Sequence, residues 1–331
     1  MTALARTSSN RIALLSPFLA TELFMPSTIP HVAVLLAAYN GMQWIEEQLA
    51  TIQQQQGVRV HIVISVDPST DGTEQWCSTY GAQHANVSLT PPLARCGGAA
   101  RNFFHLIDKV DLSAFDYVAF ADQDDRWHVD KLERATRFLS EHPVDAYSSN
   151  VVAFWPDGRR QLLDKAQSQV TWDHFFEAAG PGCTYVLKQR LATSVQNTVR
   201  AHWNTVQAVT LHDWFIYALA RAQGYRWYID PIPGMDYRQH LQNQVGANVG
   251  MTALIARFRT IRSGWWFGQV KLIENLVNQN KPLTERPGWR QLGRLQLVKL
   301  AWSARRCRRR SRDQWLFRLL SVVSAVVGAK V

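Results

Sequence analysis

The stretch His31-Val32-Ala33-Val34-Leu35-Leu36-Ala37-Ala38-Tyr39-Asn40-Gly41 decides the fold. Its first part, HVAVLLAA, is a short apolar run that stops at a Tyr-Asn-Gly turn. A helical spacing of Trp44, Ile45, Leu49 and Ile52 follows, so the segment reads as strand, turn, helix. The same grammar repeats downstream. Val58 to Val66 is a β-branched strand ending in the polar turn Asp67-Pro68-Ser69-Thr70-Asp71-Gly72-Thr73. Thr73 to Tyr80 and Ala99 to Val110 read as helices, and Tyr117 to Ala121 as a third buried strand stopping at Asp122-Gln123-Asp124-Asp125. Strands alternating with helices predict an α/β fold with a mostly parallel sheet flanked by helices. Further on, Ala146 to Phe154 reads as one strand before a turn at Pro156-Asp157-Gly158, and Gly180 to Leu187 as another. Thr210 to Gln223 reads as a helix.

Open parallel sheets bind ligands beyond the carboxyl ends of their strands. Tyr39-Asn40, Asp67 and Asp122 to Asp125 all fall there, and together they describe a pocket. Each of these motifs carries two readings. The four-residue acidic turn offers hard carboxylate oxygens for Mg2+ or Mn2+ bound with a diphosphate, or it opens a helix over Trp127 to Leu139 as a cap. Asp67 accepts hydrogen bonds from a nucleobase or ribose, or it simply forms the turn. Tyr39 is an aromatic platform for a base, or it closes the strand edge. Asp213, in His212-Asp213-Trp214, caps its helix or acts as a general base toward a hydroxyl. Gly97-Gly98 before a helix suggests a phosphate loop but lacks both GxGxxG and GxxxxGK[ST].

The chain has 331 residues and a formal charge of +10, but the excess is local. Six arginines lie within the eight positions 305 to 312, whereas residues 31 to 250 carry mixed charge. The four cysteines, Cys77, Cys96, Cys183 and Cys307, show no paired spacing for zinc or a disulfide framework, which fits a reducing compartment. Residues 1 to 30 read as a flexible leader: Arg6 and Arg11 before the apolar run Ile12 to Ala20 superficially resemble a signal peptide, but the run is broken by Pro17 and followed by Glu22. No uninterrupted apolar stretch approaches the roughly 20 residues that a spanning helix needs. Residues 251 to 331 read as a helical, basic extension bearing Trp265, Trp266 and the arginines. Such a tail suits an interfacial helix on anionic lipid, where each cation contributes about 1 kcal/mol, or it is a solvated charge run.

Taken in order, Ala38-Tyr39-Asn40-Gly41, Asp67 to Thr73, Gly98 with Asn102-Phe103, Asp122 to Asp125 and His212-Asp213-Trp214 resemble the family 2 glycosyltransferases. Gly182-Cys183-Thr184 and Tyr237-Arg238-Gln239-His240, with Asn243, Gly246 and Ala247, resemble the bacterial rhamnosyltransferase-like branch. The resemblance spans about residues 31 to 250 and implies a GT-A fold carried by that segment as the catalytic domain. It implies inverting transfer of one sugar from a nucleotide-sugar, dTDP- or UDP-linked, to a saccharide or lipid-linked acceptor. It assigns Tyr39, Asn40, Asp67, Asn102 and Asp122 to the donor, Asp122 and Asp124 to a divalent metal, and Asp213 to the base. Arg238 and His240 go to donor phosphates, to the acceptor, or to structure. One departure is Val66-Asp67-Pro68, where such proteins usually carry two adjacent acids and only the second is kept. The QxxRW signature of processive synthases is absent, which favours single-sugar transfer. The resulting expectation is a cytoplasmic enzyme of cell-surface polysaccharide or lipid-linked oligosaccharide synthesis. It would be peripheral at the inner face of the membrane through its Arg-rich C-terminus and without specific nucleic acid.

Two other classes compete. A nucleic-acid-binding protein would use Arg305 to Arg312 on phosphate backbones, against which the acidic pocket motifs count. A nucleotidyltransferase shares the architecture but typically needs a basic Gly-rich loop, which His31 to Gly41 lacks.

Overall fold

The computed structural model describes residues 28–91, 95–240, 264–279 and 293–327. Residues 1–27 of the expected leader, residues 251–263 of the expected helical stretch, and Asn243, Gly246 and Ala247 lie outside them.

The main sheet has seven strands. β1 (His31–Ala38) is central, with β2 (Arg59–Val66) and then β3 (Val87–Leu89) on one side. On the other lie β4 (Tyr117–Asp122), β9 (Val186–Lys188), β6 (Ala146–Ser149) and β10 (Trp227–Asp230). All pairings are parallel except those of β9, which runs antiparallel to β4 and β6. The mostly parallel α/β sheet expected from the alternating pattern is therefore present. A second sheet of four strands, in the order β5 (Arg126–Trp127), β11 (Met235–Arg238), β7 (Val151–Phe154), β8 (Arg160–Leu163), was not foreseen.

β1 shows why both faces of the sheet are buried. Successive side chains of a strand point to opposite faces. Val32, Val34, Leu36 and Ala38 enter one core with Ile45, Leu49 and Ile52 of α1 (Ile45–Gln53) and Leu132, Ala135 and Leu139 of α4 (Lys131–Glu141). Ala33, Leu35 and Ala37 enter the other, with Phe103, Phe104 and Ile107 of α3 (Ala99–Lys109), Val195 of α5 (Gln189–Ala201) and Phe215 to Ala220 of α7 (His212–Ala222). α2 (Thr73–Gln83) covers the sheet edge beside β3, and α6 (Trp203–Val206) is a short turn between α5 and α7.

Three sequence expectations are corrected. Ala146 to Phe154 is not one strand: Asn150 divides it, and its halves join different sheets. The Asn150 side chain explains the break, since it donates to Pro231 O and Asp164 Oδ1 and accepts from the amides of Lys165 and Ala166. Gly180 to Leu187 holds a 3-10 turn at Gly182–Thr184 before the short β9. The helix expected over Trp127 to Leu139 starts only at Lys131, because Arg126–Trp127 pair with β11 instead.

The C-terminal region forms α8 (Trp265–Val277), α9 (Arg294–Trp302), α10 (Ala304–Cys307) and α11 (Ser311–Val327). Phe267, Val270, Ile273, Leu297, Leu300 and Phe317 join the same core as α7. The arginine cluster divides in two. Arg309 is buried, its guanidinium pairing with Asp173 Oδ2 at 3.1 Å and donating to Ala178 O at 2.7 Å. Arg308 donates to Phe176 O and Arg310 to Asp164 O, so these residues dock the tail, while Arg305, Arg306 and Arg312 stay exposed. No helix among the described residues is long and apolar enough to cross a membrane.

Candidate active site

The strand register brings the expected residues to one sheet edge. Ala38 lies opposite Val66 and Ala37 opposite Asp122, so the chain leaves β1, β2 and β4 at the same level. Gln123 fastens the first of these exits: its Oε1 accepts from Tyr39 N at 2.7 Å and its Nε2 donates to Tyr39 O at 2.8 Å. The Tyr39 ring remains 43% exposed above this clamp, available to a flat ligand.

Asn40 adopts φ 46°, a left-handed conformation that Asn tolerates better than most residues. That turn lets four hydrogen bonds join the loops after β1 and β2. Asn40 N donates to Ser69 Oγ, Gly41 N to Thr73 Oγ1, Met42 N to Asp71 Oδ2, and Thr70 N to Asn40 Oδ1. Asp67 sits beneath them, buried, and both of its oxygens accept backbone amides: Cys96 N at 2.7 Å and Gly97 N at 3.0 Å. Gly97 has φ +73°, which a residue with a side chain would rarely adopt, and it turns its amide onto Asp67. Asn102 is buried and donates to Ala38 O and Ser65 O, so it braces the ends of β1 and β2 from α3.

The acidic turn does not open a helix. Asp122 ends β4, and Asp124 and Asp125 lie in the tight connection to β5. Ligand atoms of Asp122, Asp125 and Cys183 lie within 4.8 Å of one another. Asp125 is fully buried, accepts from Arg238 N through Oδ1, and has no hydrogen-bond partner at Oδ2. Desolvation first, and then the neighbouring carboxylates, push Asp122 and Asp125 above the usual carboxylate range. Asp124 is turned aside: its Oδ2 is 2.7 Å from His240 Nε2, and its carbonyl accepts from Arg238 Nε at 2.7 Å. His240 also stacks on Trp44 with centroids 4.0 Å apart, and Arg238 bonds Glu47.

The sequence pointed to none of the role of Lys131. It is 2% exposed, donates to Cys183 O at 2.9 Å, and lies over the Trp127 ring. Burial pulls its ammonium down to about 7 against the opposing pull of Asp125 and Asp122. A buried cation beneath clustered carboxylates offsets part of their mutual repulsion.

Asp213 is half-buried in the first turn of α7, but its side chain does not cap the helix; Oδ1 accepts only from Trp214 N. Desolvation pushes its carboxyl up to about 6, in the range of a working general base. Its negative charge contributes to raising Asp122, so the two groups share one electrostatic neighbourhood. A carboxylate base beside an acidic cluster at the carboxyl edge of a parallel sheet suits attack of a hydroxyl on a phosphate-activated carbon.

Comparison with known proteins agrees. A family model described as Glycosyl transferase family 2 matches residues 33–186. The dTDP-rhamnosyl transferase RfbG of Shigella flexneri is 43% identical over 272 residues, covering 82% of this chain and 94% of its own. Among solved structures, TarS 1-349 of S. aureus in complex with UDP superposes with a TM-score of 0.51 at 14% identity. That alignment covers 90% of this chain and 92% of TarS 1-349, a likeness of the GT-A fold. Neither the nucleic-acid-binding nor the nucleotidyltransferase reading is favoured by these matches. With the acidic turn and its facing carboxylate set on that fold, and with so close a relative over most of its length, the chain belongs to glycosyl transferase family 2.

Proposed function

We propose that this glycosyltransferase moves a single L-rhamnose from dTDP-rhamnose, with inversion, to a hydroxyl of a saccharide or lipid-linked acceptor. The reaction belongs to cell-surface polysaccharide synthesis at the inner face of the cytoplasmic membrane. The observation that carries the reading is Asp213, a half-buried carboxylate with a raised pKa that shares an electrostatic neighbourhood with Asp122. The donor sugar is suggested by the RfbG relative, whose name gives dTDP-rhamnosyl transfer.

In this mechanism the nucleobase lies against Tyr39, and Asn40 and Asp67 hold the loops that frame the nucleoside. Asp213 takes the proton of the acceptor hydroxyl as its oxygen attacks the anomeric carbon on the face opposite the diphosphate. The carbon–oxygen bond to the diphosphate breaks, and the nucleoside diphosphate departs. A divalent cation, Mg2+ or Mn2+, fits the unpartnered buried Oδ2 of Asp125 together with Asp122. The Cys183 thiol is pushed well above its ordinary value by burial, stays protonated, and leaves the carboxylates as the hard donors. Asp124, hydrogen-bonded through Oδ2 to His240, lies outside that set. When bound, the cation neutralises charge on the departing diphosphate.

The test is calorimetric binding of dTDP, UDP and GDP with and without Mn2+, followed by transfer from dTDP-rhamnose read by anomeric proton couplings. Tightest binding of dTDP that requires Mn2+, and an inverted product, are expected. Binding of no diphosphate would sink the reading. Metal-independent binding and turnover would remove the cation from it.

A further inference from the structure

The last two long helices are apolar on both sides. Their inner faces bury Leu297, Leu300 and Phe317 in the core. On the outer face of α9, Leu295, Val298 and Trp302 are exposed, the tryptophan by 84%. On α11, Trp315, Leu319, Val322 and Val326 are exposed, with Trp315 at 70%. These positions recur at three- and four-residue steps, so each set forms one stripe. The two helices pack on each other. Among the described residues Arg318 lies over the Trp315 ring at 5.3 Å, and these side chains otherwise stay exposed.

Charge narrows what covers them. Arg294, Lys299, Arg305, Arg306 and Arg312 are exposed on the same segment. The sole carboxylate of residues 293–327, Asp313, is buried and lies between Arg308 and Arg312. A segment that exposes tryptophan, aliphatic side chains and cations, with no exposed carboxylate, matches the polar–apolar boundary of an anionic bilayer. A second copy of the chain would oppose like charges across the interface, which disfavours it.

We propose that α9 and α11 form a bilayer-docking module. Trp302, Trp315, Leu319 and their neighbours enter the interfacial layer of an anionic phospholipid membrane, and the exposed cations pair with lipid phosphates. This deepens the membrane-surface reading given above and moves the insertion from the arginine cluster to an apolar face. The module is fastened to the site. Trp172 N donates to Arg306 O at 2.7 Å, and Arg309 holds Asp173, Glu177 and Ala178. The same segment runs on into the Gly182–Thr184 turn beside Asp213. Docking therefore fixes the Gly182–Thr184 turn and Asp213 relative to the lipid plane.

Truncation would strip Arg309 and Phe317 from the core, so the test uses point variants of the full chain. Co-sedimentation is measured with vesicles of phosphatidylglycerol and phosphatidylcholine, and with phosphatidylcholine alone. The wild type is expected to bind the anionic vesicles. A W302S/W315S/L319S variant is expected to lose about tenfold or more of that partitioning. An R305Q/R312Q variant is expected to lose binding mainly at low salt. Hydrogen exchange on the wild type supplies an independent reading, with vesicle-induced protection expected over residues 294–302 and 315–326. Unchanged partitioning of the apolar variant, no vesicle binding by the wild type, or absent protection would each overturn the proposal. A wild-type dimer that the apolar variant dissociates would assign the face to a second copy instead. Binding of dTDP, followed on the same samples, separates failure of this inference from failure of the transferase reading.

Discussion

Gly182 and His212 touch so closely that no side chain fits between them: a Cβ at 182 would stand 2.4 Å from His212 Nε2 and 3.2 Å from the Cβ of Asp213. The imidazole cannot retreat, because its ring stacks on Phe103 with centroids 4.0 Å apart. The turn before β9 thus sets the position of Asp213, the proposed base. Gly182→Ala is expected to lower kcat by about a hundredfold with little change in donor affinity, since small displacements of a reacting group are that costly. Full activity of the variant, measured by nucleoside diphosphate release, would show that the turn and the base move independently.

The raised pKa of Asp213 fixes two pH profiles. Its carboxyl must be ionised to accept a proton, so kcat/KM should fall as pH drops below about 6, and Asp213→Asn should lose at least about a hundredfold and this acid limb. Stability runs the other way. The folded-state pKa lies above the ordinary value of 3.8, so the folded protein holds this proton more tightly than the unfolded chain. The stabilisation is full below about 4 and is lost as pH rises through about 6. Asp213→Asn should therefore melt higher than wild type at neutral pH and no higher near pH 4, which thermal scans at both pH values test.

Asp67 spends both oxygens on the amides of Cys96 and Gly97. Asp67→Ala is expected to speed amide exchange at these two residues and to weaken dTDP by about tenfold, the scale of a lost hydrogen bond to a charged group. Faster exchange with unchanged dTDP affinity would confine Asp67 to bracing the loop.

Arg309 and Asp173 form a buried pair, and Tyr217 and Arg221 complete the shell around the carboxylate. Burial pushes the Asp173 carboxyl up, but hydrogen bonding from His174 first, and then Arg221, Arg309 and Tyr217, hold it below the usual carboxylate range. Arg309→Met should cost about 1.5–3 kcal/mol in denaturant unfolding, because it removes the buried charge-assisted hydrogen bonds to Asp173 and Ala178 O while Arg221 still faces the carboxylate, and Asp173→Asn in the same chain should restore part of it. A cost below about 1 kcal/mol would mean that the tail contributes little to the domain.

The parallel strands were legible because β1 and β4 are buried on both faces and read as apolar runs, and β2 is β-branched with Ile62 to Ser65 buried. β6 and β7 were not separable, since Asn150 breaks them through tertiary partners distant in sequence. β5 is two residues long and owes its existence to β11, more than a hundred positions away. The acidic turn was visible as a motif. Which of its carboxylates converge was not, because Asp124 is drawn off by His240 and Asp125 is drawn in beside Cys183. Lys131 resembled an ordinary helix-surface cation, and only the fold places it beneath the acids. Arg309 was hidden in a charge run whose members turn out to have opposite fates.

The seam of hydrogen bonds between the loops after β1 and β2 has a kinetic and thermal meaning. Loops already locked together have little conformational freedom left to surrender when a nucleotide arrives. Capture at this end of the cleft should proceed without a slow rearrangement, in a single rapid phase, and with only a small entropic penalty from ordering the backbone.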